Sequence, residues 1–285
     1  MLNRSTRLNI CITMGDPAGI GAEIVAKSLI ERQIQRLADF TVIGDSFVFK
    51  KLGLYQNIIT HSTLVDLANI QKKGFSFGKI NALGAKASVE YIDRALELIK
   101  DTRINCLVTA PVNKESINRA GIKFSGHTEY IAQKTGTQDF AMMFVSPALK
   151  VILVTRHIPL SQVSKDLSKD KIYKTIKLTI KCLKDNFKIT KPRIAVCGLN
   201  PHAGEAGYLG REEEDKIIPA IGRIKKEFSC DIQGPMASDT LFYFSKKGVY
   251  DAVIAMYHDQ GLIPLKLLAF ESAVNFTVGL PFIRT

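Results

Sequence analysis

The chain has 285 residues, 46% hydrophobic and 23% charged, with 39 Lys and Arg against 27 Asp and Glu and a formal charge of +12. That length exceeds one small core and predicts one large α/β domain or two domains sharing a cleft, and the composition excludes wholesale disorder. No apolar run approaches the roughly 18 residues that span a bilayer. The opening stretch MLNRSTRLNICITMGD lacks the apolar core and cleavage site of a signal peptide, and five scattered cysteines without a CxxC predict reduced thiols in a cytoplasmic protein.

In chain order, LNICITM reads as a strand and GAEIVAKSLIERQI (21–34) as a helix, followed by the strand FTVIG (40–44). GAKASVEYIDRALELIK (84–100) is an amphipathic helix, with Ala85, Val89, Ile92, Leu96 and Ile99 on one stripe. INCLVTA is a strand, and a short helix follows near KESINRAG. FAMMFV and KVILVT are adjacent strands turned by SPAL (146–149), which predicts a mixed sheet there. Much of the excess charge lies in 165–191, where Ile172, Ile176, Ile180, Leu183 and Phe187 recur at helical spacing between lysines. This predicts a helix with a solvated lysine face. It lacks the interleaved aromatics of a nucleic-acid or membrane-surface patch, so neither partner is expected. RIAVCGL and DAVIAMY are further strands, and Pro219 starts or kinks a helix. Apolar runs alternating with helices predict α/β architecture with largely parallel, partly mixed sheets.

In such sheets ligands gather at the carboxyl ends of the strands. Three of the five histidines, His157, His202 and His258, fall within a few residues of a strand's end. They are far apart in sequence and form no local metal motif. Three neutral imidazoles with one open position would make a catalytic divalent-metal site, usually zinc; taken singly, each reads first as a loop hydrogen-bonder, and only the three together bring the metal reading level with it. His127 in FSGHTEY lies near the same rim or caps a helix, and His61 reads as a surface residue. MGDPAGIGAE spaces its glycines as neither GxGxxG nor GxxxxGK[ST], so it reads as a tight strand-to-helix turn. The acidic run Glu212–Asp215 reads as the complement of a helix N-terminus, and Ser238 or Asp239 as an N-cap. Asp239 is also a weak candidate for a general base.

The motifs TMGDPAGIGAE, TAPVNKESIN, GHTEYIA, TRHIPL, LNPHAGEAGYLGREE, GPMASDT and YHDQGLIPLK…NFTVGLPFIRT resemble, in order and spacing, the 4-hydroxythreonine-4-phosphate dehydrogenase family of pyridoxal phosphate synthesis. The resemblance spans nearly the whole chain. It implies a two-domain fold like isocitrate and isopropylmalate dehydrogenases with an interdomain cleft. Residues 1–125 plus 265–285 would form the first domain, and 126–264 the second, with the dimer interface. It implies a homodimer with its active site at the subunit interface. It implies a divalent metal (zinc foremost; magnesium, manganese or cobalt otherwise) on His157, His202 and His258, with ligands from both subunits. It makes His127, Thr128, Lys266, Asn275 and Arg284 substrate contacts. It implies oxidation of 4-hydroxy-L-threonine 4-phosphate by NAD or NADP to a β-keto acid that loses carbon dioxide, giving 3-amino-2-oxopropyl phosphate. The residues also admit the same chemistry on threonate or erythronate 4-phosphate, a metal-dependent hydrolase or lyase, or an inactive binder of phosphorylated ligands. Family members usually continue past PFIRT with an Asp-His-Gly-Thr-Ala segment that helps hold the adenine end of the cofactor in related dehydrogenases.

Overall fold

The protein is described by a computed structural model over residues 7–80, 82–101 and 104–285. It divides into two compact units, the residues up to Gly136 with Pro281–Thr285, and Thr137–Leu280. The expected division put 126–136 in the second unit and 265–280 in the first; here each stretch lies with the other unit.

The first unit runs β1 (Leu8–Thr13), α1 (Gly21–Leu29), α2 (Arg32–Gln35), β2 (Ala38–Gly44), α3 (Ser46–Lys51), α4 (Tyr55–His61), β3 (Thr63–Asp66), α5 (Ala82–Asp101), β4 (Cys106–Thr109), α6 (Lys114–Arg119) and α7 (His127–Lys134). The second runs β5 (Ala141–Val145), β6 (Lys150–Leu153), α8 (Val163–Asp166), α9 (Lys169–Asp185), β7 (Arg193–Cys197), α10 (Ile218–Glu227), β8 (Asp231–Met236), α11 (Ser238–Lys246), β9 (Ala252–Ala255), α12 (His258–Ala269) and β10 (Val274–Val278). β11 (Ile283–Arg284) returns to the first unit.

The first unit's sheet has the order β11-β4-β1-β2-β3 and is wholly parallel. α5 packs on β1 and β2 through the predicted stripe; Ala85, Val89, Ile92 and Leu96 are buried. The helix expected over 21–34 is broken. Glu31 is extended (φ −70°, ψ 118°), which separates α1 from α2, and the Gln35 side-chain amide donates to the freed Leu29 carbonyl at 3.0 Å. The turn after β1 is tight as expected: a Cβ on Gly15 (φ +76°) would lie 2.4 Å from the Pro111 carbonyl oxygen.

The second unit's sheet has the order β10-β5-β6-β9-β7-β8. β6, β9, β7 and β8 are parallel, and β5 runs antiparallel to both β6 and β10, so the sheet is mixed. The central strands β6, β7 and β9 bury both faces, as strands between two helical layers do. Ile152, Ile194, Val196 and Ile254 join Ile172, Ile176, Ile180 and Leu183 of α9 in one core. Val151, Leu153, Ala195, Val253 and Ala255 join Leu241 of α11 and Leu262 and Leu265 of α12 in another. Each Val, Ile or Leu side chain among them is worth about 1.5–3 kcal/mol when fully buried. The lysine-rich helix therefore faces the sheet with its isoleucines and solvent with its lysines. Among the described residues no helix is long and apolar enough to cross a membrane.

Candidate functional site

In the second unit the carboxyl ends of three parallel strands, β6, β7 and β9, lead into His157, His202 and His258. Thr155, just past β6, donates from its amide (3.1 Å) and its hydroxyl (2.7 Å) to the Met256 carbonyl beyond β9. This cross-tie sets the loops after β6 and β9 side by side. His157 and His258 consequently meet, with ring centroids 5.6 Å apart. His258 opens α12, and its Nδ1 lies 2.7 Å from Asp259 Oδ1. Opposite an ionised carboxylate that nitrogen is the donor, which leaves the Nε2 lone pair for a Lewis acid. Imidazoles bound at ~2.1 Å to one tetrahedral ion have centroids about 5 Å apart, so the pair fits two ligands of one cation. Among the described residues no three His, Cys, Asp or Glu side chains of one chain gather to hold a metal. His202 does not complete the pair within a single chain.

His202 follows β7. Asn200 is extended, and then His202, Ala203, Gly204, Glu205 and Ala206 all have positive φ, between 45° and 79°. The stretch is a turn of left-handed helix, which costs about 1–2 kcal/mol for each of its four non-glycine residues. The turn leaves His202 exposed on the wall of a cavity of about 560 Å³, together with Asn200, Ser238, Asp239, Tyr257 and Asp259.

Gln260 ties the rim together. Its Oε1 accepts from the Met256 amide (2.6 Å), and its Nε2 donates to the Gly198 carbonyl (2.7 Å) and Ser238 Oγ (2.9 Å). The ends of β9, β7 and β8 are thus cross-linked by one side chain. Sequence reasoning missed this residue, whose signal was an amide two positions after a strand-end histidine. The expected N-cap at Ser238 or Asp239 is replaced: Ala237 occupies that position, Ser238 is engaged by Gln260, and Asp239 accepts from the Thr240 amide at 2.9 Å. Lys266 is exposed late in α12, 5.8 Å from the Phe270 ring. Asn275 stands on the edge strand β10, its Oδ1 buried without a hydrogen-bond partner.

The first unit gathers a different set. β11 pairs with β4, and the Thr109 amide donates to the Thr285 carbonyl at 3.0 Å. This holds Arg284 in place with only 6% exposure. Its guanidinium donates to Thr109 Oγ1 (2.7 Å) and Thr128 Oγ1 (3.1 Å). His127, the first residue of α7, has a buried Nε2 with no hydrogen-bond partner. Burial, then the charges of Arg284 and Lys114, holds its pKa down at about 3, so the imidazole is neutral. Burial also lowers Arg284 to about 10, against the opposing charge of Glu129. Lys114, at the start of α6, approaches the same helix end; a Cβ on Gly126 would lie 3.3 Å from its Nζ. A buried guanidinium, an ammonium and an unpartnered imidazole around a helix N-terminus suit an oxyanion. The structure brings His127, Thr128 and Arg284 together as expected and adds Lys114, the lysine of PVNKES, which sequence reasoning did not single out.

Residues 12–285 match the family described as pyridoxal phosphate biosynthetic protein PdxA. The chain belongs to the PdxA family. One PdxA relative, a D-threonate 4-phosphate dehydrogenase of Cupriavidus necator, is 41% identical over 97% of this chain and 87% of its own length. Another, a 4-hydroxythreonine-4-phosphate dehydrogenase of Sulfurihydrogenibium sp., is 38% identical over 98% of this chain and 88% of its own. The crystal structure of 4-hydroxythreonine-4-phosphate dehydrogenase from Klebsiella pneumoniae superposes with a TM-score of 0.88 at 37% identity, covering 98% of this chain and 90% of that one. The α/β fold with mostly parallel sheets is that of the PdxA structures.

Proposed function

We propose that this chain is a metal-dependent dehydrogenase. It oxidises the secondary alcohol of 4-hydroxy-L-threonine 4-phosphate with NAD or NADP, and the resulting β-keto acid loses carbon dioxide to give 3-amino-2-oxopropyl phosphate. The observation that carries this reading is the His157–His258 pair, 5.6 Å apart, with Asp259 on the far nitrogen of His258. A divalent cation held there would supply Lewis acidity to the substrate hydroxyl and then to the keto oxygen. Imidazole donors favour zinc over magnesium, manganese or cobalt. Arg284, Thr128, His127 and Lys114 would hold the phosphate, while Lys266 and Asn275 would meet the rest of the substrate. Asp239, on the wall of the His202 cavity, is the proposed base. No residue is assigned to the dinucleotide, because the turn after β1 carries no nucleotide fingerprint.

A homodimer belongs to the proposal. The pair in one chain needs a third imidazole, which His202 of a second copy would supply. In support, α12 leaves Ile263, Leu267 and Phe270 65%, 84% and 76% exposed close to His258 in sequence, an apolar face of the kind a partner covers. The finer likeness to isocitrate and isopropylmalate dehydrogenases is part of the same reading. So is a reducing cytoplasm, in keeping with five cysteines that form no disulfide.

The second reading, the same oxidation of D-threonate 4-phosphate, is favoured by the Cupriavidus necator relative. Metal analysis of purified protein, paired with nicotinamide reduction on each substrate, decides. Metal at one ion per chain and turnover of 4-hydroxythreonine phosphate is the expected result. Turnover of the sugar-acid phosphate alone would select the second reading. Consumption of substrate without nicotinamide reduction, or no bound metal, would reject both.

A further inference from the structure

Glu213 is 2% exposed, within an acidic run that pattern alone assigns to a helix N-terminus. Its Oε1 accepts from the backbone amides of Leu199 (2.7 Å) and Asn200 (2.8 Å), and its Oε2 from Asn200 Nδ2 (2.9 Å). The left-handed turn closes over it from the other side. A Cβ on Gly204 (φ +79°) would lie 2.6 Å from Glu213 Oε2, and one on Gly198 would lie 2.8 Å from Ala203 Cα and 3.1 Å from Oε1. The carboxylate therefore fills the inside of the turn. Glu213 also opens one turn of π-helix, Glu213–Ile217, ahead of α10; such widened turns frequently accompany functional sites. The neighbouring Glu212 accepts from Asn200 Nδ2 (2.8 Å) and from Ser164 Oγ, bracing the same loop from outside.

A run of left-handed residues does not hold itself, because each is steeply disfavoured for an L-residue. Charge-assisted hydrogen bonds from two consecutive amides to a buried carboxylate supply what the turn lacks. We infer that Glu213 is a positioning residue for His202: its carboxylate clamps the turn His202–Ala206 onto the end of β7 and so sets the direction in which the imidazole points. This rests on the reading of His202 as a metal ligand. It accounts for Gly204 of PHAGEAGYLG, which is small where the carboxylate passes.

The test is cobalt(II) binding to the purified full chain, read as affinity and as the visible absorption of the bound ion. Inorganic phosphate affinity and thermal midpoint are measured on the same samples. Glu213→Ala is expected to weaken cobalt binding 10–100-fold, the usual effect of removing a group behind a ligand, and to alter the absorption while phosphate affinity stays unchanged. Glu213→Gln keeps an oxygen for both amides and is expected to recover affinity to within a few-fold. Should Glu213→Ala not fold, Gly204→Ala takes its place, displacing the carboxylate without deleting it and producing the same loss. Cobalt affinity and absorption unchanged in whichever of these two variants folds would overturn the positioning role. His202→Ala is run in parallel: if it alone leaves cobalt binding intact, the ligand reading fails and the positioning role falls with it. If His202→Ala loses the ion and the Glu213 or Gly204 variant does not, only the positioning role is lost.

Discussion

A neutral imidazole beside two cations is an unusual state for His127, and burial is its main cause. The unfolded chain binds a proton at this residue near pH 6.5, whereas the folded chain excludes it down to about 3. Between those values the unfolded state carries the extra proton, so the contribution of His127 to stability is present above pH 6.5 and is lost as pH falls. His127→Asn is expected to lose less stability than the parent between pH 7 and pH 4.5, measured by urea unfolding at both values; an equal loss would contradict the buried neutral state. Arg284 makes the companion case. Lysine at this position keeps the charge but cannot bridge Thr109 and Thr128 at once. Arg284→Lys is expected to weaken inorganic phosphate binding at least ~10-fold by calorimetry, because hydrogen bonds to charged groups are worth about 1.5–3 kcal/mol. The motif GHTEY pointed to His127 and Thr128, and PFIRT to Arg284. Nothing local pointed to Lys114, whose role depends on the end of another helix arriving beside it.

At the scale of elements, hydrophobic period was the informative signal. The isoleucines of α9 are buried at the positions the 3.6-residue spacing marks, and the strands with long apolar runs form where expected. The elements that pattern did not reveal are short or interrupted: β8 contains Gly234 and Pro235, and β11 has two residues. These become strands because a neighbour offers them a ladder, which no local sequence records. The acidic run opens a helix as its pattern predicts, but the burial of Glu213 could not be read from it, since a buried glutamate and a solvated one look alike in sequence. α12 shows how closely an element is seated. A Cβ on Gly261 would fall 2.7 Å from Val151 Cγ1 and 2.9 Å from Leu153 Cδ2. Gly261→Ala is expected to push the helix off β6 and β9, costing about 1–3 kcal/mol in urea unfolding. The same shift moves His258 away from His157 and weakens cobalt binding. Normal stability in that variant would mean that the helix accommodates a methyl group without moving.

For the whole molecule, the proposed homodimer would both cover the exposed face of α12 and add a third imidazole to the histidine pair. Leu267→Asp combined with Phe270→Asp is expected to give a monomer by sedimentation velocity, with cobalt held more weakly because only two imidazoles remain. A dimer that survives both changes would place the interface elsewhere.

The amino-acid sequence alone determined that this is an α/β chain, that apolar strands alternate with amphipathic helices, and that histidines stand where strands end. Those features follow from local periodicity and from the rule that loops at carboxyl ends carry function. Only the tertiary structure decided which histidines meet, that Gln260 ties three strand ends, and that one glutamate of the three in the acidic run lies inside a left-handed turn. These depend on contacts between segments remote in the chain, where burial and hydrogen-bond geometry, rather than residue type, select the partner.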